Sequence, residues 1–403
     1  MYKRAYIRRN IEYAAIQGIY WTIACISIVF SSVFLLERGY SNSQIGILMA
    51  TGYIIGMLLQ PIISSFADRS VKVTPTAIMA INCAVIALML FGMCFLSKKC
   101  FLLTICYVSF LSFQLVLQPI VNAYCFYLEH QDTPIHYGIA RGIGSLSWGL
   151  CAVILGFLVN RIGTYVLPII GLISIGLMLL ILFICHFEDP SPLQQKKLDK
   201  TILPQSELTI ASFSGKYRNF LFLLLGNTFL FLGHSQIDNF PFQIIRNAGG
   251  TSTDLGIFSA YAAFLELPAL FFFDYLRKKI RCESLLCIAA FFFAVKGLLM
   301  CLLKSLTGIY IANFFQALSF AVFVPASVFY AKKISQPQDI YKAQSLITAT
   351  ATAGNILSSA TGGFLIDTIT VHGMLMVGCG ASVIGLIFTL ISTNRYQHRK
   401  EIS

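Results

Sequence analysis

Long apolar stretches separated by short polar connections run along the whole chain. Each stretch is about 17 to 25 residues long, which is the length that an α-helix needs to cross the hydrocarbon core of a bilayer. The predicted spans lie near residues 13–36, 44–66, 73–97, 101–128, 138–160, 164–186, 219–245, 254–276, 284–303, 307–331, 341–366 and 371–393. The pattern therefore predicts an all-α membrane protein with twelve transmembrane helices.

One long polar connection interrupts this pattern between the sixth and the seventh span. It is rich in proline and lysine, a composition that is typical of a linker. We therefore expect residues 1–187 to form an N-terminal six-helix half, residues 188–216 a cytoplasmic linker and residues 217–403 a C-terminal six-helix half.

The two halves contain matching segments. GYSNSQIGILMA begins at Gly39 and GGTSTDLGIFSA begins at Gly249, so that the two segments align at an offset of 210. Each has a serine or threonine three residues before a glutamine or aspartate, a pair that is able to cap the helix that follows. The ends of the same spans also match, as SSFADRSVK and FFFDYLRKK. Matches in the same order predict a duplicated unit, and hence two pseudo-symmetric bundles.

The composition agrees with a membrane location. Of the 403 residues, 57% are hydrophobic and 11% are charged, whereas a soluble domain is about one-quarter charged. The net charge of +12 arises from short basic clusters between apolar stretches, a distribution that argues against nucleic-acid binding. The 12 cysteines are scattered without a metal-binding spacing, so we expect reduced thiols, no metal site and no cofactor.

The basic residues also predict the orientation. Most of the 29 lysine and arginine residues lie in connections on the same side as the N-terminal segment MYKRAYIRRN. Because cytoplasmic loops carry an excess of these residues, both termini are predicted to be cytoplasmic. The protein is accordingly expected in the cytoplasmic membrane, in contact with the lipid bilayer.

Arg141 lies inside the fifth span, in YGIARGIGSLSW. An arginine at the centre of a membrane helix costs roughly 2.5 to 3.5 kcal/mol, so it normally faces the protein interior and pairs with an anion or a polar ligand. Trp148 follows two helical turns later, on nearly the same face. A cation beside an aromatic plate predicts a site for a hydroxylated or anionic small molecule.

Four further ionisable side chains lie inside predicted spans, namely His234, Asp238, Glu266 and Lys296. Ionisable groups at this depth favour a role in solute binding or proton movement. An alternative stays open, because Asp238 and Lys296 also suit a purely structural ion pair and His234 a packing role.

A polar stripe runs along the fourth span, where Gln114, Gln118 and Asn122 recur every four residues. Such a stripe either lines a cavity or joins two helices by hydrogen bonds, and the sequence leaves both alternatives open. The phenylalanine runs 271–273 and 291–293 are expected to face lipid. Weaker candidates for the cavity are Tyr20, Trp21, Gln236 and Asn239.

The chain resembles the major facilitator superfamily and, within it, the lactose-permease-like oligosaccharide:proton symporters. The segments that carry the resemblance are LLQPIISSFADRSVK, ARGIGSLSWGLCA and FLELPALFFFDYLRKKI. The resemblance implies that Arg141, Trp148 and Glu266 bind the solute. It also implies two cytoplasmic gating loops, which contain Asp68, Arg69, Asp274 and Arg277.

The chain departs from those symporters at positions of known importance. Asn122 stands in place of a carboxylate, Lys296 in place of an arginine, and Gln316 with Ser319 in place of a coupling histidine and glutamate. We expect Gln118, Asn122, Lys296 and Gln316 to contribute to solute binding, and Asp238, Glu266 and His234 to proton coupling.

The expected function is secondary active transport of a small polar solute, a carbohydrate or glycoside, by alternating access at a midplane site between the halves, with proton symport and with the monomer as the functional unit. The alternatives are a nucleoside or aromatic-acid transporter, an uncoupled facilitator or exporter, and a transporter-like sensor. No nucleophile with an adjacent base and no phosphate-binding loop is recognisable, so an enzyme is not expected.

Overall fold

The computed structural model describes residues 2–69, 74–129, 135–186, 217–336 and 339–402, in which the chain is helical and no strand occurs. The predicted linker, 188–216, lies outside the described residues. The helices of the first half are α1 (Tyr2–Ile28), α2 (Ser31–Glu37), α3 (Asn42–Arg69), α4 (Pro75–Phe95), α5 (Phe101–Glu129), α6 (Tyr137–Ile162) and α7 (Val166–His186).

The second half repeats this order with one additional interruption. Its helices are α8 (Arg218–Asn239), α9 (Pro241–Asn247), α10 (Ser252–Lys279), α11 (Cys282–Leu302), α12 (Leu306–Phe314), α13 (Phe320–Ile334), α14 (Ile340–Thr368) and α15 (Val371–Ile402). Ten of the described helices are long and apolar enough to cross a membrane. The predicted class, an all-α membrane protein, is confirmed.

Three predicted spans are not single helices. The spans predicted at 13–36 and 219–245 each consist of a long helix followed by a 7-residue helix. The span predicted at 307–331 is divided into α12 and α13 by a turn at residues 315–319. In this turn the Ser319 hydroxyl donates to the carbonyl oxygen of Phe315 at 2.7 Å. The side chain thus competes with backbone amides for this carbonyl.

The internal repeat is visible in the backbone. α3 and α10 are both 28 residues long, and each is preceded by a glycine with a positive φ, +88° at Gly39 and +82° at Gly249. The predicted caps also form. The amide of Ser41 donates to the side chain of Gln44 at 3.1 Å, and that of Thr251 to Asp254 at 2.7 Å. The local geometry of the repeat is therefore the same before α3 and before α10, whereas the pseudo-symmetry of the two halves stays a prediction.

The chain separates into two compact units, Met1–Thr201 with Thr251–Ala263, and Ile202–Gly250 with Phe264–Ser403. In the first unit α1 packs mainly on α6, and α5 lies between α3 and α4. In the second unit α8 packs along both α14 and α15. α8 and α15 pack so closely that a Cβ at Gly233 of α8 would lie 2.3 Å from the carbonyl oxygen of Gly378 of α15. Glycine lets the two backbones meet there.

The prediction that both phenylalanine runs face lipid is wrong in part. Phe271, Phe272 and Phe291 are exposed, but Phe273 and Phe293 are 5% and 2% exposed and belong to the core of the second unit. Each residue of a helix is rotated by about 100° from the one before, so three consecutive residues cannot share one face.

Candidate functional site

Arg141 lies in the first turns of α6, partly buried against α1. Its guanidinium stands over the ring of Trp21 at 4.0 Å from the centroid. One terminal nitrogen, Nη1, also donates to the hydroxyl of Ser145 at 2.8 Å, one helical turn further along. A guanidinium over an indole gains cation–π attraction, and the contact holds its planar fork of donors in one orientation.

Two tryptophans form an aromatic wall beside this arginine. The rings of Trp21 and Trp148 are 5.9 Å apart at an angle of 67°, an edge contact. Gly144 makes the arrangement possible, because a Cβ there would lie 2.4 Å from Cδ1 of Trp21. Trp148, predicted from its position after Arg141, is thus in the cluster, and Trp21, a weaker candidate, lies at its centre.

Gln17 connects this wall to the fourth predicted span. Its Nε2 donates to the Tyr13 hydroxyl at 2.9 Å and to Oδ1 of Asn122 at 3.2 Å. Its Oε1 accepts from the indole nitrogen of Trp21 at 3.3 Å. Gln17 was missed in the sequence, although its four-residue spacing from Tyr13 and Trp21 was a detectable signal.

Of the two alternatives that the sequence left open for the polar stripe of α5, hydrogen bonds between helices are seen, and lining of a cavity stays a prediction. Gln114 is 1% exposed and donates to the Tyr20 hydroxyl at 2.8 Å, which joins α5 to α1. Asn122 also contacts α1, through Gln17. Gln118 is half-buried and makes no side-chain hydrogen bond among the described residues.

In the second unit, a glutamine links a buried cation to a carboxylate. Nζ of Lys296 donates to Oε1 of Gln316 at 2.6 Å, and Nε2 of Gln316 donates to Oε1 of Glu266 at 2.9 Å. Lys296 is 1% exposed and Gln316 is 2% exposed. Three predicted site residues from α10, α11 and the turn after α12 therefore form one hydrogen-bonded chain.

Gln316 belongs to the turn that interrupts the tenth predicted span. The amides of Gln316, Ala317 and Leu318 bond to carbonyls three residues earlier, in the manner of a 3₁₀-helix. Ser319 then adopts φ −92° and ψ −91°, and α13 starts at the next residue. Irregular backbone at membrane depth is tolerated where it is enclosed by protein or lines a water-filled cavity.

His234 and Asp238 form a second ionisable pair, on successive turns of α8. Nε2 of His234 lies 3.1 Å from Oδ2 of Asp238. The imidazole is 3% exposed and stacks on Phe320 at 4.8 Å, whereas the carboxylate is 46% exposed. The structural ion pair between Asp238 and Lys296 that the sequence left open is not formed as a direct contact, although the two groups interact at longer range.

Further polar groups of α8 face α14. Nδ2 of Asn239 donates to Oδ1 of Asn355 and to the hydroxyl of Ser359, both at 2.8 Å. Asn355 and Ser359 were missed, although their four-residue spacing matches a polar helix face. Gln236 is fully buried, and neither its nitrogen nor its oxygen has a hydrogen-bond partner in the described part of the chain.

The predicted gating loops are described only in part. The side chains of Asp68, Arg69 and Asp274 lie outside the described residues. Arg277 is exposed, and its guanidinium lies 4.5 Å from the ring centroid of Phe329. The gating role of all four residues stays a prediction.

A family model described as the MFS_1 like family matches residues 14–375. The chain belongs to this family. The expectation of a major facilitator fold is thereby confirmed, and the protein is a multi-pass membrane transporter.

Two curated bacterial proteins are similar over nearly the whole chain. An uncharacterized transporter YwbF of Bacillus subtilis (strain 168) is 22% identical over 391 residues, covering 95% of this chain and 94% of that protein. A maltose permease of Geobacillus stearothermophilus is 23% identical over 368 residues, covering 90% and 89%.

Solved structures agree on the fold. The nucleoside transporter NupG matches with a TM-score of 0.76 at 12% identity, over 95% of this chain and 98% of that one. A POT family transporter in complex with a thioalcohol-conjugated peptide matches with a TM-score of 0.71 at 11% identity, over 96% of each chain. At these identities the likeness shows the fold alone.

Proposed function

We propose that this protein is a secondary active transporter that carries a small polar solute, a carbohydrate or glycoside, together with protons. Alternating access is the transport mode that its family suggests. The similarity to a maltose permease supports the choice of a carbohydrate over other small solutes.

The observation that carries this proposal is the guanidinium of Arg141 on the face of Trp21, with Trp148 beside it. Indole rings bind the apolar C–H face of a sugar ring, while a planar guanidinium donates paired hydrogen bonds to neighbouring hydroxyls. The amide of Gln118, without a described protein partner, adds a further donor and acceptor.

The carboxylate of Glu266 is the natural acceptor for solute hydroxyls in the second unit. It already accepts one hydrogen bond from Gln316, and a carboxylate has about four acceptor positions. Lys296 and Gln316 orient it, and Asn122 supports the first unit's wall through Gln17. These residues together form the proposed solute-binding set.

For proton coupling we propose Asp238 as the group that takes up the proton from water, with His234 and Glu266 as its partners. Asp238 is half-exposed, and its neighbour His234 is buried within hydrogen-bond distance. A carboxylate in such a position is able to exchange protons with a cavity and to respond to movement of a nearby cation.

The proposed setting is the cytoplasmic membrane, with both termini cytoplasmic and the monomer as the functional unit. The basic N-terminal segment and the basic residues at the ends of α10 and α13 support this orientation.

The test is transport by the purified protein in liposomes. Radiolabelled maltose, uridine and benzoate are each offered in counterflow, and the expected result is exchange of maltose that an imposed pH gradient converts to accumulation. Arg141→Ala serves as the inactive control. Exchange without accumulation would indicate an uncoupled facilitator or exporter, and an absence of flux with every solute would indicate a sensor.

A nucleoside or an aromatic acid is the second candidate. The edge contact between Trp21 and Trp148 leaves ring faces on which a planar base or a benzene ring is able to stack. Uridine or benzoate counterflow that maltose does not inhibit would replace the carbohydrate assignment with this one.

A further inference from the structure

Lys296 is buried with fewer hydrogen-bond acceptors than an ammonium group requires. Its side chain is 1% exposed, and Oε1 of Gln316 is its hydrogen-bond acceptor among the described residues. An ammonium has three N–H donors, so two of them face no described acceptor. The protein therefore supplies one neutral acceptor to a charge whose burial is costly.

Gln316 is able to accept a hydrogen bond from Lys296 through its amide oxygen in either protonation state of the amine. Its amide nitrogen is engaged with Glu266, which turns its oxygen towards Nζ of Lys296. A neutral amine still has two N–H donors and can also make this contact, more weakly than an ammonium does. The hydrogen bond thus positions the nitrogen without fixing its protonation state.

The ionisable groups near Lys296 interact with it electrostatically and form no hydrogen bond or ion pair with it among the described residues. Asp238 and Glu266 are within electrostatic range, and His234 of α8 also interacts with it. On the α15 side, the backbone of Cys379 lies 3.2 Å from the Cβ position of Gly297, the residue after Lys296. The charged groups Glu283 and Lys333 pair with each other near the start of α11, roughly 20 Å along the helix.

This arrangement permits two stable charge states. Gln316 lies between Lys296 and Glu266, so the amine does not contact this carboxylate directly. If the turn at 315–319 shifts during transport, Lys296 can meet a carboxylate directly and its ammonium form is then favoured. The amides of residues 316–318 bond three residues back rather than four, so this turn is the least regular backbone of the cluster and the element that we expect to move.

We propose that Lys296 is the buried group that holds the transported proton, a role that the sequence had assigned to Asp238, Glu266 and His234. The inference rests on the proposed symport. In one step the lone pair of the Lys296 amine accepts a proton that enters from water through Asp238. In the opposite step the ammonium returns that proton to water on the other side, and no other bond changes.

The test compares a permanently charged and a permanently neutral side chain at this position. Lys296→Arg and Lys296→Met are reconstituted beside the unaltered protein, with Lys304→Met as the control for loss of an exposed lysine. The solute is radiolabelled maltose, or uridine if uridine gave counterflow. The measured quantities are the accumulation ratio, which is the inside-to-outside solute concentration under an imposed pH gradient, the rate of counterflow exchange, and solute-induced proton uptake reported by a pH-sensitive dye.

Both substitutions are expected to reduce the accumulation ratio to about one and to abolish proton uptake, whatever fraction of exchange each retains. If Lys296→Met fails to fold, Lys296→Gln replaces it, since its amide can still donate to Gln316. Accumulation and proton uptake retained by Lys296→Arg would overturn the proposal, because a fixed charge would then suffice. An unaltered protein that exchanges solute without accumulating it would instead overturn the symport itself.

Discussion

The fourth predicted span and its counterpart in the second half, the tenth predicted span, differ in backbone regularity. α5 runs unbroken through Phe101–Glu129, and its Gln114 donates to a tyrosine of α1. The counterpart is divided into α12 and α13, and Gln316 in the intervening turn connects Lys296 to Glu266. The buried glutamine thus has different partners in the two spans. Gln114 bonds to a neighbouring helix, whereas Gln316 bonds to two ionisable side chains.

The cations of the two halves differ in the same sense. Arg141 stands on an aromatic face at a partly buried position and is permanently charged. Lys296 is enclosed, and lysine readily changes its protonation state when buried. On the proposed function, the first half therefore presents a fixed cation to the solute, while the second half holds the groups that respond to protons.

The largest effect is expected from Arg141→Lys. An ammonium keeps the charge but loses the planar fork, and two charge-assisted hydrogen bonds lost at roughly 1.5 to 3 kcal/mol each correspond to a loss of affinity of roughly 100-fold to 10,000-fold. Counterflow inhibition curves measure it. Arg161→Lys, at an exposed arginine of the same helix, is the matched control and should leave affinity unchanged. Normal affinity in Arg141→Lys would reduce this residue to a counter-charge.

Asp238→Asn is expected to act on coupling more than on exchange. The amide cannot take up a proton, so accumulation driven by a pH gradient should be lost, while exchange persists at a lower rate. Asp367→Asn, which changes an exposed aspartate of α14, serves as the control. Loss of exchange as severe as the loss of accumulation would assign Asp238 a structural role beside His234.

The bilayer explains why so much of the fold was predictable. Span length and the clustering of basic residues are imposed by the membrane. The apolar stretches and the repeat at Gly39 and Gly249 were therefore sufficient to predict the fold class. The turn at 315–319 was not predictable, because NFFQALSF contains neither proline nor glycine. That turn is accompanied by contacts with Lys296 and Glu266 that are distant in sequence.

The candidate site shows the same limit. Arg141 and Lys296 stood out because a charge inside an apolar span is costly. The partners of these charges were harder to recognise. Trp21 remained a weak candidate and Gln17 was missed, since both become informative only when α1 is packed against α5 and α6. Contacts across helices depend on packing that one sequence does not encode in any local pattern.

Gln316→Leu should destabilise the protein more than Gln114→Leu. The first change removes hydrogen bonds to two charged groups, one of them fully buried, and is expected to cost about 3 kcal/mol. The second removes one neutral hydrogen bond, worth about 1 kcal/mol. Thermal unfolding in detergent ranks the two variants under identical conditions. Equal losses of thermal stability would mean that Lys296 finds another acceptor when Gln316 is removed.

The smallest effect concerns the aromatic wall of the first half. Trp21 contacts the guanidinium directly, so Trp21→Leu should weaken solute binding by a cation–π contribution of roughly 0.5 to 2 kcal/mol. Trp148 touches Trp21 by an edge contact, and Trp148→Leu should cost less.

Because the two rings touch, their effects on affinity should not add. A coupling energy of roughly 0.5 to 1.5 kcal/mol is expected when the double variant is compared with both single variants. Strict additivity would indicate that Trp148 contacts the solute independently of Trp21. In that case the first half would offer the solute two separate aromatic contacts, and only Trp21 would also support the guanidinium of Arg141.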